Sequence, residues 1–181
     1  MLFLALWAFC LSAATGFSLA QSGTGLFGAT CEDALIGSGQ AFPVLLTNST
    51  VSVLDDYQYG TACEGDIPTA ASGVGADRAH LIMVDHSCRI RVSMQSSPGV
   101  DLSLFVTHDC DSDETCIGSD TAGEGGVEIV ELDVESFTPI YIIVDGSSGS
   151  AGSYVLAVRE ADSSSTGCGM VTVELQSFTI E

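Results

Sequence analysis

The chain contains no lysine and only four basic residues, Arg78, Arg89, Arg91 and Arg159, against 24 acidic ones, for a formal net charge of −20. A molecule this short of positive charge has no surface for nucleic acid or anionic lipid, both of which are held by basic side chains. The same field draws cations, and it keeps an exported protein soluble in salty surroundings, where screening softens self-repulsion. Tryptophan is nearly missing: the single one, Trp7, lies in the N-terminal stretch. The remainder therefore lacks the usual platform for stacking on sugar rings, and Tyr57, Tyr59, Tyr141 and Tyr154 are weaker substitutes. Beyond residue 20 no apolar run is long enough to span a bilayer. Helical periodicity longer than one or two turns is absent as well. So are the Gly-x-Ser-x-Gly elbow, the zinc-peptidase helix and any catalytic-cysteine signature.

Residues 1–20 carry no charged side chain, are apolar up to Leu11, and end in Ser18-Leu19-Ala20. Small residues at those last positions are what a signal peptidase inspects, so the stretch reads as a cleaved signal peptide, and the product as secreted or displayed at the cell surface. No Lys or Arg precedes its apolar core. Residues 21–30, rich in Gly, Ser and Thr, form a flexible lead-in. The rest of the chain is the right length for one domain. A hydrophobic content of 46% excludes the disordered class in spite of the charge.

Six cysteines follow the leader: Cys31, Cys63, Cys88, Cys110, Cys116 and Cys168. An even number in an exported chain points to disulfides, with 15 possible pairings. Cys110 with Cys116 is the best local pair, because a short loop between strands brings them together; Cys31 with Cys63 and Cys88 with Cys168 would follow. No two cysteines have metal-knuckle spacing, which disfavours zinc.

Strand signals dominate from there. In Cys88–Gln95 apolar and polar residues alternate strictly, the mark of a strand with one face in a core. Leu102, Leu104 and Val106 share a face in the next run. Val127–Val134 and Pro139–Asp145 are β-rich, and Tyr154, Leu156 and Val158 alternate with smaller residues. Turn chemistry separates these runs at Ser96-Ser97-Pro98-Gly99, at 121–126 and at 146–152. Met170–Ile180 alternates and then changes parity near Gln176, as a bulged strand does. Cys31–Ile36 suits a short turn of helix. Strands at this spacing predict an all-β fold, an antiparallel β-sandwich or jelly roll stapled by disulfides.

Several pieces fall in the order of a known family: Cys31-Glu-Asp-Ala, Gly75-Ala-Asp77 leading into a strand, and Asp101-Leu-Ser-Leu-Phe-Val ending at Cys110. Cys116 and Asp120 follow in a short loop, then Pro139-Ile-Tyr-Ile-Ile-Val-Asp-Gly146 and Gly152-Ser-Tyr-Val-Leu-Ala-Val158. Over residues 31–160 the chain resembles the bacterial pre-peptidase C-terminal domain, a β-sandwich module of secreted enzymes and surface proteins. It departs from that family where Arg-Ala-His-Leu-Ile-Met follows Asp77 in place of an early aromatic, and where Ser119-Asp120 stands for paired aspartates. Residues 161–181 lie beyond the match, as an extension with an added strand. The resemblance implies a non-catalytic role: helping a secreted protein fold, binding a matrix polymer or cell surface, or binding calcium.

Asp109, Asp111 and Asp113 place oxygen donors at alternate positions, and Asp120 falls eleven residues after Asp109, where an EF-hand loop has its last acidic ligand. Glu114 stands where that loop needs glycine, so the competing reading is a solvated acidic loop. Asn48-Ser-Thr50 is an N-glycosylation sequon, relevant in a host that glycosylates. His80, His86 and His108 could supply one base, and a second reading, a secreted hydrolase of unrecognised type, uses His108 or a carboxylate pair. Glu128 and Glu131 imitate a glycosidase pair but suit solubility on exposed strand faces. A third reading is a cell-surface assembly subunit joined through edge strands, motivated by Met170–Ile180. The first expectation is a secreted, non-catalytic module, with calcium as candidate ligand and an extracellular polymer or surface protein as partner.

Overall fold

Among the described residues nine strands form in chain order: β1 (Leu35–Ile36), β2 (Val44–Ser49), β3 (Arg78–Ile82), β4 (Cys88–Ser96), β5 (Leu102–Thr107), β6 (Cys116–Asp120), β7 (Val127–Val134), β8 (Ile140–Gly146) and β9 (Ser153–Glu160). The computed structural model describes residues 31, 34–36, 42–57, 63, 75–109, 116–120, 122–161 and 168. The leader at 1–20, the lead-in at 21–30 and the Met170–Ile180 strand lie outside the described residues. Among those described there is no α-helix, only a single 3-10 turn at Ser147–Gly149.

Two sheets stack face to face. One has the order β1-β3-β8-β5-β6, the other β2-β9-β4-β7. All pairings are antiparallel except β1 with β3. This is the β-sandwich that the spacing of the strands predicts. The alternation in β4 and β7 does what period two requires: Ile90, Val92 and Met94 meet Val130, Leu132 and Val134 in the core, while Arg91 and Glu131 face water. Leu102, Leu104 and Val106 of β5 join the same core with Ile140, Ile142, Val144, Tyr154, Leu156 and Val158. Each such side chain fully buried contributes about 1.5–3 kcal/mol of transfer energy.

The two sheets differ in what covers their outer faces. Every residue of β5 is buried, and in β8 so are Ile142, Ile143 and Val144 in succession. Consecutive burial means both faces are dry. A second apolar layer explains it: Tyr57 and Cys63 lie over Ala79, Phe105, Cys116 and Ile143 on the outside of the five-stranded sheet. The four-stranded sheet has no such cover among the described residues, so β7 alternates exposed and buried along its length.

Turn residues behave as their chemistry dictates. Val100 N–H donates to the Ser97 carbonyl at 3.1 Å, with Pro98 and Gly99 between them. Gly99 has φ = +81°, the left-handed value a type II turn needs at its third position. The disulfides correct one expectation. Cys88 is bonded to Cys168 as read, but Cys116 is bonded to Cys63, not to Cys110. Cys116 opens a strand, and its side chain is buried in the outer layer together with Cys63 of the covering segment. The expected pairing of Cys31 with Cys63 falls with it; Cys31 is disulfide-bonded to a residue outside the described set. Two local expectations also change. The stretch from Cys31 closes one turn, Ala34 N–H to Cys31 carbonyl at 3.3 Å, and continues as β1 because the edge of β3 offers it backbone partners. Asp120 belongs to strand β6 rather than to a loop, paired opposite Leu104.

Candidate functional site

The outer face of the five-stranded sheet ends in a row of buried oxygen donors. Ser103 of β5 lies opposite Asp145 of β8. The β3–β8 ladder pairs Arg78 with Val144, so one further step sets Asp77 opposite Asp145. Asp77, Asp145 and Ser103 share a face with Ala79, Ile143 and Phe105, two residues along each strand. Asp77 and Asp145 are wholly buried and Ser103 nearly so. The loop above them is fastened by the site itself: Asp77 Oδ2 accepts hydrogen bonds from the N–H groups of Asp56 and Tyr57 at 2.9 and 2.8 Å, and Asp77 N–H donates to the Leu54 carbonyl at 3.1 Å. Two glycines let backbone close over the row. A Cβ on Gly75 would fall 2.4 Å from the Gly146 carbonyl oxygen, and one on Gly146 would fall 1.8 Å from that of Ser150.

This row is electrostatically uneasy. Asp77 Oδ1 and both carboxylate oxygens of Asp145 are buried without a hydrogen bond of good geometry. Burial raises the Asp77 carboxyl to about 7, against the pull of the Tyr57 and Asp56 amides, with the charges of Asp56 and Asp55 adding to the rise. Burial likewise raises Asp145 to about 8; the charges of Asp77 and Asp55 push the same way, and the N–H groups of Gly146 and Gly75 pull back. Like charges facing each other across strands are destabilising.

A second polar contact crosses the core. His80 Nε2 and the Tyr154 hydroxyl are 2.7 Å apart, with the rings edge-on at 89°. Both side chains are buried, and burial, with the Arg78 charge adding, lowers the imidazole to about 3. It is therefore neutral near pH 7. Burial pushes the Tyr154 phenol upward. Arg78, also buried, donates from Nε to the Ser49 carbonyl, on the opposite side of β3 from Asp77.

The structure scatters the three histidines. His80 is in the core, His86 is exposed beside Asp85 at 3.0 Å, and His108 is exposed with Nδ1 3.4 Å from the Pro139 carbonyl. Glu128 and Glu131 lie on opposite faces of β7, so they form no pair. Glu128 is buried, against expectation, because it has the parity of Val130 and Leu132; Glu131 is bonded to Arg91 at 3.3 Å. Of the acidic loop, Asp109 is exposed and its N–H donates to Thr107 Oγ1, while Asp111 and Asp113 lie outside the described residues. Among the described residues no three His, Cys, Asp or Glu side chains form a ready-made metal group. Asn48 sits on β2, its Oδ1 accepting from the Ser49 N–H. Tyr57 and Tyr154 are buried and Tyr141 packs against the outer layer, so none of these offers a stacking platform. No helix of the described residues is long and apolar enough to cross a membrane.

Sequence reading overlooked the Asp77–Asp145 row. Its signal was present, since each aspartate stands beside or near a glycine at a strand end, Gly75-Ala-Asp77 and Asp145-Gly146.

No family model matches the sequence, and no curated protein matches it. Among solved structures, the chain is similar to the pre-peptidase C-terminal domain of collagenase from Bacillus anthracis. The two are 13% identical, with 70% of this chain and 94% of that one covered, at a TM-score of 0.45. The β-sandwich assignment stands on the two sheets themselves.

Proposed function

We propose that this chain is a secreted, non-catalytic β-sandwich module that binds or supports material outside the cell, and that calcium strengthens its fold. The two long-range disulfides carry the reading, with sequence separations of 53 and 80 residues. Such cross-links form and persist where the surroundings oxidise, and they are compatible with an extracellular location. The polar chemistry of the described residues is spent on structure: one histidine ties the sheets together, and the other two are apart on the surface. Calcium favours hard oxygen ligands, and the Asp77–Asp145 row offers buried oxygens of that kind. When bound, the ion would neutralise the carboxylates and brace the segments that carry them. The partner is an extracellular polymer or a surface protein.

Retention of the purified protein on insoluble matrix polymers and on isolated cell-surface material tests the binding role. Retention on at least one, reduced by chelator, is expected; passage through all of them, with and without calcium, would refute it.

A further inference from the structure

We infer that the divalent cation in the reading above, on which this rests, is held by Asp77 and Asp145 with Ser103 beside them, beneath the loop that Asp77 anchors, and not by Asp109, Asp111, Asp113 and Asp120.

Two buried carboxylates facing each other are relieved by protons or by a cation. Out of water each is costly to keep ionised, and the opposed pair adds repulsion. The chain cannot supply the partner from its own basic side chains. It has no lysine, and each of the four arginines is placed elsewhere. Arg78 is on the core side of β3, bonded to Ser49. Arg89 and Arg91 bond Asp133 and Glu131 on the outside of the other sheet, and Arg159 lies opposite Arg91 on that same face. A cation that binds the pair would come from solution, and a net charge of −20 raises its local concentration.

The donors select its class. Asp77 Oδ1, both oxygens of Asp145 and the Ser103 hydroxyl are all hard oxygens. No thiolate or imidazole joins them among the described residues, which favours calcium over zinc or copper. Calcium takes six to eight oxygens, so carbonyl groups and water complete the shell. The remaining oxygen of Asp77 is already committed to the Asp56 and Tyr57 amides. An ion here would thus brace β3, β5, β8 and the covering loop at one point.

The test is melting temperature with 5 mM EDTA or several millimolar CaCl₂, on the full chain and three variants. In the parent, calcium at about 100 times its dissociation constant should raise the melting temperature by roughly 5–10 °C. Asp145→Asn should abolish that rise and melt higher than the parent in EDTA, because repulsion is relieved. Ser103→Ala, a milder change, should weaken calcium binding in calorimetry while leaving the EDTA melting point nearly unchanged. The triple variant Asp109→Asn, Asp111→Asn, Asp113→Asn should keep the full rise. Loss of the rise in the triple variant with its survival in Asp145→Asn would overturn this placement and leave the calcium reading standing. No rise in the parent would mean that protons, not calcium, relieve the pair, and both would fall.

Discussion

Replacing Cys63 and Cys116 together by alanine cuts the bond that ties the covering segment to β6. The structure sets the scale of the loss. The bridge closes a loop of 53 residues. The chain-entropy relation then puts the restraint on the unfolded state at about 14 cal/mol/K, or about 4 kcal/mol at 25 °C. That is an upper value, since the Cys88–Cys168 bridge already restrains the unfolded chain. The pairing first expected, Cys110 with Cys116, closes a far shorter loop and by the same relation contributes only about 2 kcal/mol. Urea unfolding followed by circular dichroism measures the difference, and at an ordinary slope of about 2 kcal/mol/M the midpoint should drop by up to about 2 M. Peptide mapping of the parent should recover the two cysteines in one linked pair. A midpoint unchanged within about 0.3 M, or a map joining Cys116 to Cys110, would refute both the pairing and the account of the outer layer built on it.

Three other outcomes follow from the core. His80, held at about 3 when folded and 6.5 when unfolded, binds fewer protons in the native state between those values. Stability attributable to it is therefore present above 6.5 and lost as pH falls, by roughly 2–3 kcal/mol from pH 7 to 4.5. His80→Gln should lack that increment, and parallel pH profiles for parent and variant would contradict it. Tyr154→Phe leaves the imidazole without its 2.7 Å partner and should cost about 1–3 kcal/mol in urea unfolding; an unchanged midpoint would show that the contact contributes nothing net. Gly146→Ala places a methyl 1.8 Å from the Ser150 carbonyl oxygen and should cost about 3 kcal/mol or prevent folding; a normal melting curve would show that the loop yields freely.

How much of this was legible depended on whether the cause was local. The extent of the β7 strand was readable, because a β-rich run such as Val127–Val134 needs no knowledge of its partners. The turn at Pro98-Gly99 was equally local. Glu128 was misjudged although its parity with Val130 and Leu132 was in plain view; an acidic residue at a core position contradicts the usual partition of charge. The short β2 strand at Val44–Ser49 went unread, since its pairing with β9 joins residues more than a hundred positions apart. Separation along the chain hid the site as well. Asp77 and Asp145 become neighbours only through the register of β3 on β8, and nothing near either residue reports that register. The disulfide exchange had a similar origin: proximity in sequence favoured Cys110, and the folded covering layer favoured Cys63.

The hydrogen bond between His80 and Tyr154 joins the two halves of the sandwich at one mutual alignment. Sliding β3 by a single position along its neighbour would turn the imidazole outward and leave the Ala79 methyl under the phenol. Aliphatic packing forgives such slippage, because one methyl can stand in for another; a matched donor and acceptor do not. Substitutions that thin the greasy interior, such as Ile142→Val, should therefore lower the melting point and still leave sharp, well-dispersed amide resonances, the mark of a chain that has lost strength without losing its one arrangement.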